Sequence, residues 1–129
     1  PRWGRGHETY GEDPYLTSRL GVAFVEGLQG DGDTLKAAAC AKHFAVHSGP
    51  EAVRHEFDAE ATPKDMEETY LPAFQALVQE AEVEAVMGAY NRTNGEPCLC
   101  RKSCARTGAL RDILFLTAGR SGTSMSIIW

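Results

Sequence analysis

The chain has 129 residues, 43% of them apolar and 24% charged, which is typical of one globular domain. Its formal net charge is -5, and its Lys and Arg residues are scattered, so nothing indicates a nucleic-acid partner. Its apolar runs are far too short to cross a bilayer, so no membrane role is indicated. Because residue 1 is Pro and no leader follows, we expect a processed chain or part of a longer reading frame.

A helix is predicted to begin at residue 14. The glycine-rich segment before it favours a loop, and Asp13 followed by Pro14 is typical of a helix cap and first turn. We expect the helix to end at Gly30. The apolar residues that recur at helical spacing predict its buried face, and they are Leu16, Leu20, Ala23, Phe24, Gly27 and Leu28.

A second helix is predicted from residue 62 onward. Thr62, Pro63 and Asp65 together form a strong start signal, with Thr62 as the cap and an acid in the first turn. Pro72 lies inside the helical pattern and predicts a kink or break near Leu71. The expected apolar face comprises Met66, Tyr70, Ala73, Phe74, Leu77 and Ala81.

Two apolar segments favour buried strands. Residues 35–46 contain a run of small apolar side chains that suits a strand buried on both faces, although the alanines are also compatible with a helix. Residues 84–90 predict a second, shorter buried strand. A polar loop over 47–62 and a turn-rich loop over 91–97 follow the two segments. Helices alternating with such strands predict an α/β fold with a parallel sheet.

Polar clusters come directly after both predicted strands, at Lys42-His43 and at Tyr90-Asn91. Ligand sites of α/β sheets and barrels gather at the carboxyl ends of the strands. We therefore expect the two clusters to form one site.

Several blocks of this sequence resemble consecutive blocks of family 3 glycoside hydrolases, the β-glucosidase and β-xylosidase group. They read P-R-W-G-R-G-H-E-T-Y-G-E-D-P-Y-L, A-K-H-F-A-V-H-S-G-P-E, R-H-E-F-D-A, E-T-Y-L-P-A-F and V-M-G-A-Y-N-R-T-N-G-E-P-C, in the family's order. The resemblance runs from residue 1 to about residue 100 and implies part of an N-terminal (β/α)8 TIM-type barrel domain. It implies a β-linked glycoside or oligosaccharide as substrate, with no cofactor and no metal.

The resemblance also implies roles for individual residues. Arg5, with Glu8 nearby, matches a sugar-binding arginine, and Lys42 and His43 match a pair that bonds to sugar hydroxyls. The remaining matches are Arg54, which lines the same subsite, and Met87 and Tyr90 beside the nucleophile.

Each residue has a plainer interpretation when taken alone. Arg5 is compatible with a solvated loop residue, and Lys42-His43 with a simple strand end. Arg54 is placed to pair with Glu51 or Asp58 at the surface, where such a bridge contributes little. A methionine at strand spacing, such as Met87, is usually part of a core. The remaining histidines, His7, His47 and His55, have no matched ligand role and are expected to be structural.

The resemblance favours the glucosidase/xylosidase branch. The loop K-H-F-A-V-H-S-G-P-E lacks the proline and glycine pattern of the N-acetylhexosaminidase branch, K-H-F-P-G-H-G. In the favoured branch the acid/base is a glutamate on a second domain and the nucleophile an aspartate. The nucleophile belongs to a strand one β-α unit beyond the tyrosine.

Neither catalytic carboxylate is matched in this chain. Asp112 lies in L-R-D-I-L, which resembles the helix before the nucleophile strand, and no Asp or Glu follows it. We therefore expect residues 1–100 to belong to the barrel domain and 101–129 to be a divergent or frame-shifted tail. An open piece of a barrel exposes strand edges, so we expect the isolated chain to be marginally stable or to aggregate.

Three functional hypotheses follow. The first is a piece of a retaining, exo-acting β-glycosidase, inactive alone and completed by the remainder of its parent chain. The second is a degenerate sugar-binding remnant without catalysis. The third is a metal module in which Cys98, Cys100 and Cys104 meet a histidine, although their spacing is not that of a zinc site and a disulfide is the commoner alternative. The sequence leaves the compartment open, and the family includes secreted and periplasmic proteins.

Overall fold

The computed structural model of the chain describes residues 6–97 and 124–128. Short 3-10 turns lie at Gly6–Glu8 and Glu51–Val53. The helices are α1 (Pro14–Gln29), α2 (Pro63–Asp65) and α3 (Pro72–Gln79), with a π-helical turn at Met66–Tyr70. The strands are β1 (Ala38–Phe44), β2 (Asp58–Ala59), β3 (Ala85–Gly88), β4 (Arg92–Thr93), β5 (Glu96–Pro97) and β6 (Ser124–Ile128).

Strand β1 is the centre of a three-stranded sheet, with β3 on one side and β6 on the other. Both neighbours run parallel to it, which confirms the parallel sheet predicted for β1 and β3. Ala41 pairs with Val86 and Lys42 with Met87, and the register then shifts so that Phe44 pairs with Gly88. The Lys42–His43 and Phe44–Ala45 peptide bonds are cis.

The core lies between β1 and the two longer helices. Helices α1 and α3 pack against each other and against β1. Ala39 and Ala41 on the strand are fully buried, as expected for a segment with small apolar residues on both faces. Phe44 meets Phe74 of α3 edge to face, with ring centroids 4.9 Å apart, an arrangement that aromatic pairs favour.

Helix α1 begins as predicted but buries a different face. The Leu16 N–H donates to Asp13 Oδ1 over 2.9 Å, and Pro14 occupies the first turn. The predicted stripe is wrong, because Leu16, Leu20 and Phe24 are 40–47% exposed. The residues that face the core are instead Thr17, Ser18, Gly21, Val22, Val25 and Gln29.

Gln29 explains part of this burial. Its Oε1 accepts from the Glu84 N–H over 2.9 Å, and its Nε2 donates to the Glu82 carbonyl over 3.2 Å. The side chain therefore joins the end of α1 to the turn that leads into β3. Burying a carboxamide costs little free energy when both its oxygen and its nitrogen have hydrogen-bond partners, whereas burying one without partners destabilises the fold.

The second helix begins and breaks where the sequence predicts. Thr62 and Asp65 form a reciprocal capping box: the Asp65 N–H donates to Thr62 Oγ1 over 3.1 Å. Pro72 has no N–H to donate, and the turn before it widens, with the Leu71 N–H donating to the Met66 carbonyl. Beyond the break, the predicted face of α3 is buried as expected, with Leu77 fully inaccessible.

The turn-rich loop over 91–97 forms two short strands. Asn94 and Gly95 have φ of 52° and 78°, which suits the two central positions of a tight hairpin between β4 and β5. Strand β4 also pairs in parallel with β2. The Asn94 carboxamide accepts from the Ala61 N–H over 3.0 Å and donates to the Ala61 carbonyl over 2.8 Å. This small sheet ties the loop after β1 to the loop after β3.

Among the described residues, no helix combines the length and the apolar character that a membrane crossing requires.

Candidate functional site

The carboxyl ends of β1 and β3 lie side by side at one edge of the sheet, as the sequence predicts. Lys42 and Met87 are paired across the two strands, and the Ala89 N–H donates to the Phe44 carbonyl over 2.9 Å just beyond them. The polar segments that follow the two strands are therefore held next to each other. This is the edge at which parallel α/β sheets usually bind ligands.

A small cleft opens between these two segments. Seven residues line it: His43, His47, Gly49, Glu51, Arg54, Tyr90 and Asn91. Its volume is about 30 Å³, far below the roughly 300–1,000 Å³ of pockets that enclose a small-molecule ligand. The described residues thus form a wall with polar side chains, and a sugar ring would need further elements to enclose it.

Asn91 holds the two segments together. It is 3% exposed, and its Nδ2 donates to the Val46 carbonyl over 2.7 Å and to the Arg92 carbonyl over 2.8 Å. The first bond crosses from the end of the β3 segment to the end of the β1 segment. The sequence placed Asn91 in a polar cluster, but nothing in its pattern indicated this bridging contact.

A chain of side chains runs along one side of the cleft from Glu51 to Tyr90. Arg54 Nη1 lies 3.0 Å from Glu51 Oε1, so the surface ion pair with Glu51 that the sequence allows is formed. Arg54 Nε also donates to His55 Nε2 over 3.1 Å. The His55 ring stacks on the Tyr90 ring, with centroids 4.5 Å apart and planes tilted by 28°. Arg54 therefore has two partners, one acidic and one aromatic.

Two histidines form the deeper part of the cleft. The rings of His43 and His47 lie 5.0 Å apart at 47°, and His43 is buried. His47 was expected to be merely structural, yet it lines the same cleft as His43 and Arg54. A histidine three residues after the end of β1 carries no local signal for such a position.

The loop over 47–57 is folded back by Phe57 lying against Gly49. A Cβ added to Gly49 would come within 2.2–2.6 Å of the Phe57 ring, so no larger residue fits there without a shift. Phe57 in turn packs against the hydrophobic core. Glycine at this position therefore allows the loop that carries Arg54 and His55 to dock.

Comparison with known proteins identifies the family. The model of the glycosyl hydrolase family 3 N-terminal domain matches residues 1–121. The chain belongs to glycosyl hydrolase family 3. The predicted boundary near residue 100, and the divergent or frame-shifted origin of residues 101–129, remain predictions.

The relatives of this chain include named glycosidases. The chain is 54% identical to xylan 1,4-beta-xylosidase from Xylanibacter ruminicola over 117 residues, which cover 88% of this chain and 13% of that protein. It is 40% identical to beta-xylosidase/alpha-L-arabinofuranosidase 1 from Medicago sativa subsp. varia, of which it covers 15%. The chain thus spans about a seventh of the length of these relatives.

Solved structures of the family superpose on the chain. A GH3 exo-beta-xylosidase (XlnD) in complex with a xylobiose aziridine activity-based probe aligns with a TM-score of 0.76 and 34% identity, covering 98% of this chain and 17% of that one. Beta-glucosidase 3B from Thermotoga neapolitana aligns with a TM-score of 0.75 and 28% identity, covering 98% and 16% respectively.

The residues that family resemblance singled out do not all lie in the cleft. His43, Arg54 and Tyr90 line it, whereas Lys42 is partly buried on β1 beside Met87. Met87 is 42% exposed, so it is not a core methionine. Within β3 only Val86 is buried, so the predicted burial of this strand is correct for Val86 alone. Arg5 lies outside the described residues, as does Asp112.

The cysteine hypothesis rests mainly on residues outside the described ranges, since Cys98, Cys100 and Cys104 all lie there. Cys40 is a free thiol buried on β1. Burial raises its pKa above the usual value of a thiol, although the charge of Lys42 opposes this. Within residues 6–97 and 124–128, no group of three His, Cys, Asp or Glu side chains is placed to hold a metal ion.

Proposed function

We propose that this chain forms one wall of the sugar subsite in the (β/α)8 barrel of a family 3 β-glycosidase. The enzyme cleaves β-xylosides or β-glucosides from chain ends. The observation that supports this best is the adjacent placement of His43, Arg54 and Tyr90 at the carboxyl edge of a parallel sheet. Site residues of α/β barrels are found at this edge.

The residue types suit a sugar. A pyranose presents several hydroxyl groups, and Lys42, His43 and Arg54 can each make charge-assisted or neutral hydrogen bonds to them. Arg5 joins them by family resemblance. Met87 provides an exposed apolar surface next to Lys42, against which the ring can rest.

In the proposed mechanism Tyr90 positions the nucleophile. A retaining glycosidase uses one carboxylate to attack the anomeric carbon while a second carboxyl protonates the leaving oxygen, and water then hydrolyses the glycosyl-enzyme. The phenol of Tyr90 is suited to donate a hydrogen bond to the attacking carboxylate. We propose that both carboxylates belong to other parts of the parent enzyme, so that the 129 residues alone have no turnover. No metal or cofactor is needed for this chemistry.

Xylosides are the first substrates to test, because the relatives named above include xylosidases from a bacterium and a plant. The experiment replaces the matching segment of the Xylanibacter ruminicola enzyme by residues 1–97 of this chain. We expect the chimera to hydrolyse nitrophenyl β-xyloside and the isolated chain to release no nitrophenol.

Two substitutions distinguish a substrate contact made by Lys42 from a general effect of surface charge on activity. In the chimera, Lys42→Ala should lower kcat/KM by roughly 10²-fold or more, since a charge-assisted bond to substrate is lost. Lys64→Ala removes the same charge from an exposed position on α2 and should leave activity unchanged. Equal activities of the two variants would contradict the proposed site. If the isolated chain hydrolysed the xyloside and a mutation of one of its own carboxylates abolished that hydrolysis, the proposal that both catalytic carboxylates lie elsewhere would be contradicted.

The degenerate remnant remains the second candidate, since neither catalytic carboxylate is matched in the sequence. A chimera that folds and binds xylose without hydrolysing the xyloside would favour it. Hydrolysis by the chimera would rule it out for residues 1–97.

A further inference from the structure

His55 occupies a position for which the proposed function has no role. It forms the link between Arg54 and Tyr90: its Nε2 accepts from Arg54 Nε over 3.1 Å, while its ring stacks on the phenol ring at 4.5 Å. Tyr90 itself is 68% exposed. An exposed aromatic ring has several rotamers open to it unless a neighbour restricts them. The His55 ring supplies that restriction on one face.

The backbone brings these two rings together. Strands β2 and β4 pair in parallel, with Asp58 opposite Arg92, and the Arg92 N–H donates to the Phe57 carbonyl over 3.1 Å. His55 lies two residues before Phe57, and Tyr90 lies two residues before Arg92. This pairing brings the segment before β2 close to the segment before β4. The stack of His55 on Tyr90 forms between these two segments.

The hydrogen bond selects one tautomer of the neutral His55 ring. An imidazole nitrogen that accepts from a guanidinium must carry its lone pair, so the proton of the neutral ring lies on Nδ1. Arg54 is anchored in turn by Glu51 at 3.0 Å. Glu51 pairs with Arg54, Arg54 donates to His55, and His55 stacks on Tyr90, so the four side chains form a continuous series of contacts.

We propose that His55 is a positioning residue that holds the Tyr90 ring in its catalytic orientation and couples it to the Arg54 guanidinium. The inference rests on the proposed function, in which Tyr90 orients the nucleophile and Arg54 binds sugar. It predicts that His55 acts on kcat through Tyr90 and has little direct effect on sugar binding.

The stack is tested first without any assay of turnover, in the folded 129-residue chain or, if that chain aggregates, in the chimera that carries residues 1–97. The chain has four tyrosines, so ring-labelled tyrosine gives few NMR signals, and Tyr90→Phe identifies the one of interest. Its ring protons should shift upfield in the wild type, keep most of that shift in His55→Phe, and lose it in His55→Ala. A Tyr90 signal that is the same in wild type and His55→Ala would overturn the proposal.

The functional part is tested in the active chimera. His55→Ala should lower kcat about tenfold with little change in KM, as expected when a catalytic group is misplaced. His55→Phe, which keeps a stacking ring, should retain more activity than His55→Gln, which keeps only an acceptor. His7→Ala is the matched control, since His7 is exposed and outside the cleft, and should behave as wild type.

A double-mutant cycle separates positioning from general stability. In a Tyr90→Ala background, His55→Ala should cause no further loss of kcat, because the residue through which it acts is already gone. The same loss in both backgrounds would show that His55 only supports the fold. A wild-type chimera without activity would count against the proposed function instead, and the NMR result would still decide whether the stack exists.

Discussion

Helices α1 and α3 lie side by side, yet they use their apolar residues in opposite ways. Helix α3 buries the face that its periodicity predicts, with Leu77 fully inaccessible and Phe74 3% exposed. Helix α1 leaves Leu16, Leu20 and Phe24 40–47% exposed and buries Thr17, Ser18 and Gln29. Both helices begin with a proline in the first turn, so their starts do not account for the difference.

Their positions in the fold explain it. Helix α3 connects β1 to β3 in the chain, and its apolar residues Phe74 and Leu77 belong to the same core cluster as Ala41 of β1 and Val86 of β3. Helix α1 precedes β1 and packs against both α3 and β1, and its buried face carries Thr17, Val22 and Val25. In a (β/α)8 barrel the outer helices form a ring, and each therefore has a helical neighbour on both sides. An apolar stripe predicts that a helix has a face to bury, but not where its partner lies.

The largest expected difference in stability is between a buried leucine of α3 and an exposed leucine of α1. Leu77→Ala should lower the free energy of unfolding by about 2–5 kcal/mol, because it leaves a cavity in the core. Leu20→Ala should change it by roughly 0.5 kcal/mol or less, since Leu20 is 42% exposed. Urea unfolding followed by circular dichroism measures both. Similar losses in the two variants would show that the stripe of α1 is buried after all.

The second largest effect on stability is expected from Gln29, a polar residue that α1 buries. Gln29→Ala removes the partner of the Glu84 N–H and should cost about 1–3 kcal/mol of unfolding free energy. The control is Gln75→Ala on α3, where an exposed carboxamide donates to Gln79 Oε1 and little change in stability is expected. If the two variants are equally stable in urea, Gln29 does not join α1 to the start of β3.

The helix caps should have smaller and similar effects. Thr62→Ala and Asp13→Ala each remove a side-chain acceptor for a free N–H and should cost about 1 kcal/mol. Thermal unfolding of the two variants compares them directly. A Thr62→Ala variant as stable as the wild type would mean that its capping box does not contribute in solution.

The smallest effect on stability is expected from making the exposed stripe polar. Leu16→Gln, Leu20→Lys and Phe24→Ser should each change the unfolding free energy by about 0.5 kcal/mol or less. Together they should raise the monomer fraction in sedimentation experiments, because exposed apolar faces promote association. A wild-type chain that is monomeric and unfolds cooperatively would contradict the predicted tendency to aggregate.

Several features of the fold and the site were predictable from local sequence. The cap at Thr62, the break before Pro72 and the turn at Asn94-Gly95 depend on the chemistry of a few neighbouring residues. The small apolar residues of β1 and the polar residues after it predicted the strand and the edge at which His43 and Tyr90 meet. Family resemblance added Arg5, Arg54 and Met87, whose roles in sugar binding are still proposals.

Other features were decided by tertiary contacts. The buried face of α1 depends on where α3 and the turn before β3 lie, and the partners of Gln29 are more than fifty residues away in the chain. Asn91 bridges two loops, and the pairing of β2 with β4 brings together the segments that carry His55 and Tyr90. Local sequence sets the conformation of a segment because its causes are a few bonds away. A side chain's partner depends on how distant segments pack, which no single segment encodes.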